Sequence, residues 1–251
     1  MFDFSENEAS SGLAQQFESN HGPSALFARF LTRTDRLLAS RGLRVTIERD
    51  FDALLALNQE TRKTGNPLTP NFSPEFGYDG TDGYWLAARN RENQIVATLV
   101  GRVYDMRKTT LAAELESLRV FYVDPARHRL RNETCVNTTQ QAREISGRVL
   151  YSGGAWVRPD ARGTGLTAIL PRISKVYAIG HWYADWAIAL LQPILVRKGV
   201  AQRYGITNVE YGVHWTGMRA GELEFVLGWL HRDEIVDDLV AVERDPTRFA
   251  V

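Results

Sequence analysis

The sequence predicts an α/β chain of the α+β kind, in which helices flank a mixed, mostly antiparallel twisted sheet. Three observations carry that expectation. Residues 84–89 and 95–104 are strand-like runs joined by the polar turn 90–94, which makes a hairpin. Residues 149–157 form a strand that turns through glycines into an apolar-periodic helix at 165–177. Val209, Tyr211, Val213 and Trp215 alternate in one late run, and Phe225, Leu227 and Trp229 alternate in the next, giving two last strands.

The other elements follow in order. Residues 1–22 are polar and small, whereas 24–39 place Leu26, Phe27, Phe30, Leu31, Leu37 and Leu38 at helical spacing, an amphipathic helix with a docking face. Arg41 and Gly42 end it, and 43–47 alternate as a short strand. Asp50 suits the N-cap of a helix bearing Phe51, Leu54, Leu55 and Asn58 on one face. Pro67, Pro70 and Pro74 with Gly65, Gly77, Gly80 and Gly83 make 64–83 an irregular loop, of the kind that often serves function. Residues 105–148 are the least readable, with 111–118 helix-like and 127–143 polar and rich in arginine. After the glycine turn and its helix come a strand at 186–191 and a helix at 193–204 that puts Val196, Val200 and Tyr204 on one face. We expect an N-terminal helical extension, 1–42, on a domain spanning 43–251 with an insertion at 105–148.

Composition narrows the function classes. The chain has 251 residues, 44% hydrophobic and 24% charged, enough for a full core. Lys plus Arg is 30 and Asp plus Glu is 30, so no global field draws nucleic acid or anionic membrane, and any anion site must be built locally. The lone Cys135 excludes an internal disulfide and a multi-cysteine metal cluster. The acidic start, residues 1–8, lacks a secretory pattern, and the apolar stretch 186–196 is broken by Gln192 and Pro193 and too short to span a bilayer. The expectation is a soluble, cytoplasmic protein with no metal, no nucleic-acid partner and no membrane partner, in which a homodimer is allowed.

The sharpest signal is Val157-Arg158-Pro159-Asp160-Ala161-Arg162-Gly163-Thr164-Gly165-Leu166-Thr167. A strand that turns through two glycines directly into a helix can hold a phosphate. Glycines let successive N–H groups converge, and the helix N-terminus adds roughly half a positive charge. Arg162, with Arg158, can supply formal charge beside it. A plain strand-turn-helix connection explains the glycines as well. A dinucleotide fingerprint fits Gly163 to Ala168 formally, but it needs an acidic residue at the end of the next strand, and Asp185 precedes that strand. No Gly-Lys-Ser/Thr follows, so the Walker pattern is missing.

In this order the segment resembles the GCN5-related N-acetyltransferase superfamily, whose signature is R/Q-x-x-G-x-G/A after a strand ending in a Val-x-Pro-like turn. The element order of most of the chain follows the same family. The resemblance implies an acyl-CoA N-acyltransferase-like fold. It implies acetyl-CoA or another acyl-CoA as co-substrate and a small-molecule or peptide amine as acceptor. By position, Arg162, Gly163, Thr164, Gly165, Leu166 and Thr167 would cradle the pyrophosphate, and Ala155, Trp156 and Val157 would line the pantetheine. A backbone N–H near Val157 would meet the oxyanion. Thr167 stands where the family has Gly or Ala, Pro171 falls inside the helix and should kink it, and 105–148 exceeds the minimal fold.

Catalytic side chains are less marked. The position where many family members carry a tyrosine acid is Ala201 here. Tyr204 lies almost one turn later and is the substitute candidate, against a packing role. His214, opposite in phase to Val213 and Trp215, is the candidate base, against a solvent-facing role. Glu75, Asp79 and Asp82 lie in the loop where an acceptor site would form, and loop solvation and turn capping explain them too. Trp182, Tyr183 and Trp186 read as core, and His128 with Arg127, Arg129 and Arg131 as a solvated surface. An acyltransferase working by direct attack in a ternary complex is the first reading. A silent acyl-CoA-binding module and an N-acyl amino acid or signal synthase are the alternatives.

Overall fold

A computed structural model describes residues 12–17, 19–218, 221–245 and 247. The opening residues 1–11 lie outside them. The elements are α1 (Ser24–Ser40), β1 (Arg44–Glu48), α2 (Phe51–Glu60), β2 (Gly83–Arg89), β3 (Ile95–Met106), α3 (Leu111–Glu116), α4 (Pro125–His128), β4 (Thr134–Asn137), α5 (Gln141–Glu144), β5 (Gly147–Val157), α6 (Leu166–Trp182), β6 (Trp186–Leu191), α7 (Pro193–Arg197), α8 (Val200–Arg203), β7 (Asn208–Met218), β8 (Gly221–His231) and α9 (Arg232–Arg244). The strands form one sheet in the order β1-β2-β3-β5-β6-β8-β7-β4. The β5–β6 pair is parallel and the other pairs are antiparallel. The fold is thus a mixed, mostly antiparallel sheet flanked by helices.

Alternation along the strands divides the core between the two faces. Tyr84, Leu86 and Ala88 join α1, α6 and α9 on one side, while Trp85 and Ala87 join α2, the loop before β2 and α3 on the other. Leu26, Phe27, Phe30, Leu31 and Leu38 of α1 are buried in the first cluster together with Leu13. The N-terminal helix therefore packs into the same core as the sheet. Asp50 caps α2 by accepting from the Ala53 N–H at 2.9 Å, as its position predicts. Helix α6 is buried from Ala168 through Gly180 and stays continuous through Pro171.

Four departures from expectation have local causes. The helix expected over 193–204 is two pieces, because Gly199 sits at φ +72 and breaks it. Val209 and Tyr211 are exposed while Val213 and Trp215 are buried, because a register shift between Tyr211 and Val213, at Gly212 with φ +136, switches the phase of β7. Residues 105–148 add a strand, β4, to the edge of the sheet beside β7. The C-terminal helix α9 was not expected, although Ile235, Leu239 and Val242 bury one face and a capping box joins His231 and Glu234.

Candidate functional site

The site is built where β5 leaves its parallel neighbour. β5 pairs with β6 only through Val149↔Trp186, Leu150↔Ala187 and Tyr151↔Ile188. Beyond that point β6 continues against β8 to Leu191, while β5 continues against β3 to Val157. The strands part, and among the described residues no strand pairs with β5 on its β6 side from Ser152 onward. Within this stretch the register to β3 shifts between Thr98 and Val100, opposite Gly153 to Trp156. Gly154 takes φ +56, and its carbonyl accepts from Thr98 Oγ1 at 3.2 Å. A bulge of this kind re-aims backbone groups away from the ladder. The bulge was not expected from sequence, although the Gly153-Gly154 pair inside a strand is its signal.

The open strand runs into the glycine turn. Residues Pro159–Ala161 form one tight turn, and Gly163 and Gly165 adopt φ +79 and φ +80, Gly165 as the N-cap of α6. A side chain at either position would be strained, which is why both are glycine. The N–H groups of Ala168 and Ile169 both donate to the Gly165 carbonyl, at 2.9 and 3.1 Å. Among the described residues no carbonyl or side chain accepts from the N–H groups of Gly163, Thr164, Gly165, Leu166 and Thr167. The space above Gly163 is open, with no atom within 4 Å of where a Cβ would stand. Free amides, left-handed glycines and the positive end of a 17-residue helix are together an arrangement chemically suited to an anion.

The side chains around the turn take separate roles. Thr164 uses its hydroxyl inside the turn, donating to the Ala161 carbonyl at 2.7 Å. Leu166 is buried as the first anchor of α6, and Arg162 is exposed. Arg158 corrects the expectation of a second free charge: Asp160 holds its guanidinium at 2.6 and 2.8 Å, and Gln94 accepts from it at 3.0 Å. Arg41, not singled out from sequence, reaches from the end of α1 to the Thr164 carbonyl.

Of the residues expected along the pantetheine, Ala155 is exposed, Val157 pairs with Ala97, and Trp156 turns its ring to the loop before β2. The Trp156 Nε1–H donates to Thr64 Oγ1 at 3.1 Å. That loop lies along β5. A Cβ on Gly65 would meet Trp156, one on Gly154 would meet Val100 and Leu68, and one on Gly153 would meet the Phe72 ring at 2.7 Å. Behind it, Arg102 is held between the Tyr78 and Tyr104 rings at 4.5 and 4.6 Å, and it donates to Asp82 at 3.0 Å and to the Asn71 carbonyl at 3.1 Å. Asp82 is therefore an ion-pair partner, and Asp79 caps a turn by accepting from the Thr81 N–H at 3.0 Å. Thr69 Oγ1, Asn71 Oδ1 and Ser73 Oγ lie buried without a hydrogen-bond partner among the described residues.

Tyr204 follows α8 and packs with Ala201 and Ile206 against Ala189 and Leu191, the part of β6 that has left β5. Burial pushes its phenol above the ordinary tyrosine range. Ala201 is fully buried in the same cluster. His214 is exposed on β7, opposite Val136 and Glu224, with β8 and β6 between it and β5. The structure thus gathers the turn, the open strand and the Trp156 loop along one strand, and leaves His214 on another part of the sheet.

The aromatic patch is core only in part: Trp182 stacks on Tyr84 at 5.7 Å, whereas Tyr183, expected in the core, is exposed with Arg232 over its ring. Among the described residues no group of three or more His, Cys, Asp or Glu could hold a metal ion, and no helix is long and apolar enough to cross a membrane.

No family profile and no curated protein sequence matches the chain. Solved structures do. NAA60 from Arabidopsis thaliana, in complex with acetyl-CoA, matches at 11% identity and a TM-score of 0.47, covering 76% of this chain and 99% of its own. Spermidine N-acetyltransferase from Vibrio cholerae, a dodecamer, matches at 9% and 0.46, covering 79% and 98%. The acetyltransferase yncA from Salmonella typhimurium, described as putative and solved with its cofactor acetyl-CoA, matches at 12% and 0.45, covering 77% and 95%. These are proteins the chain is similar to, and the chemistry of its turn rests on its own residues.

Proposed function

We propose that the chain is an acyl-CoA-dependent N-acyltransferase, which moves an acetyl or other acyl group to the amine of a small molecule or peptide. The observation that carries the reading is the run of unpartnered amides from Gly163 to Thr167 at the mouth of α6, continuous with the open edge of β5. A diphosphate matches the first feature, and an extended amide-bearing arm matches the second. Acyl-CoA has both, in that order along its length.

The residues then divide the work. The amides of Gly163 to Thr167 bind the diphosphate, and exposed Arg162 adds charge beside it. Backbone groups of Ala155, Trp156 and Val157 bind the pantetheine arm. A neutral amine attacks the thioester carbon, the new C–N bond forms, and the carbonyl oxygen becomes an oxyanion. A backbone N–H of β5 between the bulge at Gly153 and Val157 stabilises it, a contribution of about 3 kcal/mol for one preorganised donor. The C–S bond then breaks, the amine sheds a proton, and the thiolate takes one up. Tyr204, kept protonated by burial, is the donor to test for the thiolate, and no base is assigned for the amine, because His214 lies beyond β6 and β8 from β5.

Thermal unfolding with acetyl-CoA tests the donor half. Ligand at about a hundredfold over its dissociation constant should add about 2.7 kcal/mol of stability. No shift across a panel of acyl-CoAs overturns the reading. A second reading, a silent acyl-CoA sensor, is favoured by one observation: Ala201, where a tyrosine acid would stand, is core. Free-thiol release with a panel of amines separates the two, because sustained release above the buffer rate excludes a sensor.

A further inference from the structure

The diphosphate reading gives no part to the N-terminal helix, yet that helix touches the turn. Arg41 is the C-cap of α1, and its Nη1 donates to the Thr164 carbonyl at 2.5 Å, across 123 residues of chain. The peptide joining Thr164 to Gly165 is planar and trans, so its C=O and its N–H point in opposite directions. A donor gripping the carbonyl from one side therefore aims the Gly165 N–H away on the other.

This peptide needs such a hold. Its C-terminal neighbour is a glycine at φ +80, and a glycine backbone turns over at little cost. Its other fixed neighbour is the Ala161 carbonyl, to which the Thr164 hydroxyl donates at 2.7 Å. The two bonds fix the carbonyls on either side of Gly163. Holding α1 in place does not require Arg41, because Leu26, Phe27, Phe30, Leu31 and Leu38 already bury that helix in the core.

Resting on the proposed function, we infer that Arg41 is a positioning residue for the diphosphate turn: it holds the Thr164 carbonyl so that the Gly165 N–H faces the ligand. The helix before β1 is then a working part of the donor site. A charge-assisted hydrogen bond is what is lost in Arg41→Ala, and Arg41→Lys retains a donor without the planar fork.

The test uses the full chain and three probes: acetyl-CoA, inorganic pyrophosphate, and S-acetylpantetheine, which has the thioester arm and no diphosphate. In Arg41→Ala the dissociation constants for acetyl-CoA and pyrophosphate should rise about tenfold, that for S-acetylpantetheine should not change, and Arg41→Lys should recover part of the loss. Unfolding temperatures of the three proteins should agree. Unchanged acetyl-CoA binding in Arg41→Ala overturns the inference, as does an equal loss for all three probes, which marks a merely structural role. Failure of the unaltered protein to bind acetyl-CoA overturns the acyl-CoA reading itself, so the two failures are told apart.

Discussion

The glycine turn and the loop before β2 flank the same strand and solve opposite problems. The turn leaves polar groups open: among the described residues the amides from Gly163 to Thr167 have no partner, and the space above Gly163 is clear. Its helix supplies the anchoring, buried from Ala168 to Gly180. The loop does the reverse, sinking Phe72, Asn71 and Ser73 to 0–1% exposure and leaving Thr69 Oγ1, Asn71 Oδ1 and Ser73 Oγ without partners among the described residues. One region presents its unsatisfied groups to open space, and the other carries them as a cost, about 1–3 kcal/mol for each buried group left unpaired. The turn is therefore rigid in support and open in function, whereas the loop is closed at a cost that apolar packing must offset.

That difference breaks down if the loop is not held by packing, so its anchor is the place for the largest effect. Phe72 is fully buried, faces the Tyr151 ring at 5.5 Å and fills the space over Gly153. Phe72→Ala should cost about 3–5 kcal/mol in urea unfolding. The diphosphate turn, beyond Val157 at the end of β5, should keep its affinity for inorganic pyrophosphate. If binding and stability fall together, the two regions are one unit.

Lys175 sharpens the comparison from the helix behind the turn. It is 4% exposed, and its Nζ donates to the Tyr204 carbonyl at 2.5 Å, so unlike the loop atoms it is buried with a partner. Desolvation pushes its pKa down to about 7 from 10.5, with Asp238 opposing and Arg172 reinforcing the shift. Between those two values the unfolded chain binds the proton and the folded chain does not. Stability should therefore rise with pH across the window, by at most about 1.4 kcal/mol per unit, and the penalty should be complete below pH 7. Unfolding midpoints against pH should show the slope in the unaltered protein and lose it in Lys175→Met.

How far the sequence reveals these regions follows from how local their determinants are. The turn was legible because its demands sit within a few residues: positive φ at Gly163 and Gly165, a strand before and an apolar period after. Asp50 and α1 were legible for the same reason. What was not legible depends on residues far apart. The Glu133 carboxylate ties the 105–148 segment to β7, accepting from the Tyr122 hydroxyl at 2.8 Å, the Trp215 Nε1–H at 2.7 Å and the Leu130 N–H at 2.8 Å. Nothing in the spacing of Tyr122, Glu133 and Trp215 announces that meeting. Arg41 belongs here too, since its partner lies in another element. Helix α9 was missed differently: its period is present, but charge surrounds it and its N-cap is a histidine, outside the usual capping set.

A change at the turn should separate binding from folding. Gly163→Val forces a β-branched residue to φ +79, a strain of about 1–2 kcal/mol, but meets no atom within 4 Å. Its stability loss should stay within that range, well under the loss expected for Phe72→Ala. The side chain would stand in the open space over the amides, so titration calorimetry should show acetyl-CoA affinity reduced at least about tenfold, or 1.4 kcal/mol. Retained affinity means that the ligand does not lie over Gly163.

The smallest expected change is the most telling about the loop. Ser73 and Thr139 are both buried hydroxyl residues, at 1% and 0% exposure. Thr139 Oγ1 donates to Asn137 Oδ1 at 2.7 Å, whereas Ser73 Oγ has no partner among the described residues. Removing the first strands the Asn137 carbonyl, so Thr139→Val should cost about 1–3 kcal/mol. Removing the second takes away a group that was already paying for its desolvation, so Ser73→Ala should fall within about 0.5 kcal/mol of neutral or be stabilising. Chemical denaturation of the two variants side by side measures the difference. A Ser73→Ala loss as large as that of Thr139→Val would mean that the Ser73 hydroxyl is satisfied in solution, and the loop would then stand beside the turn as a second ordered polar site.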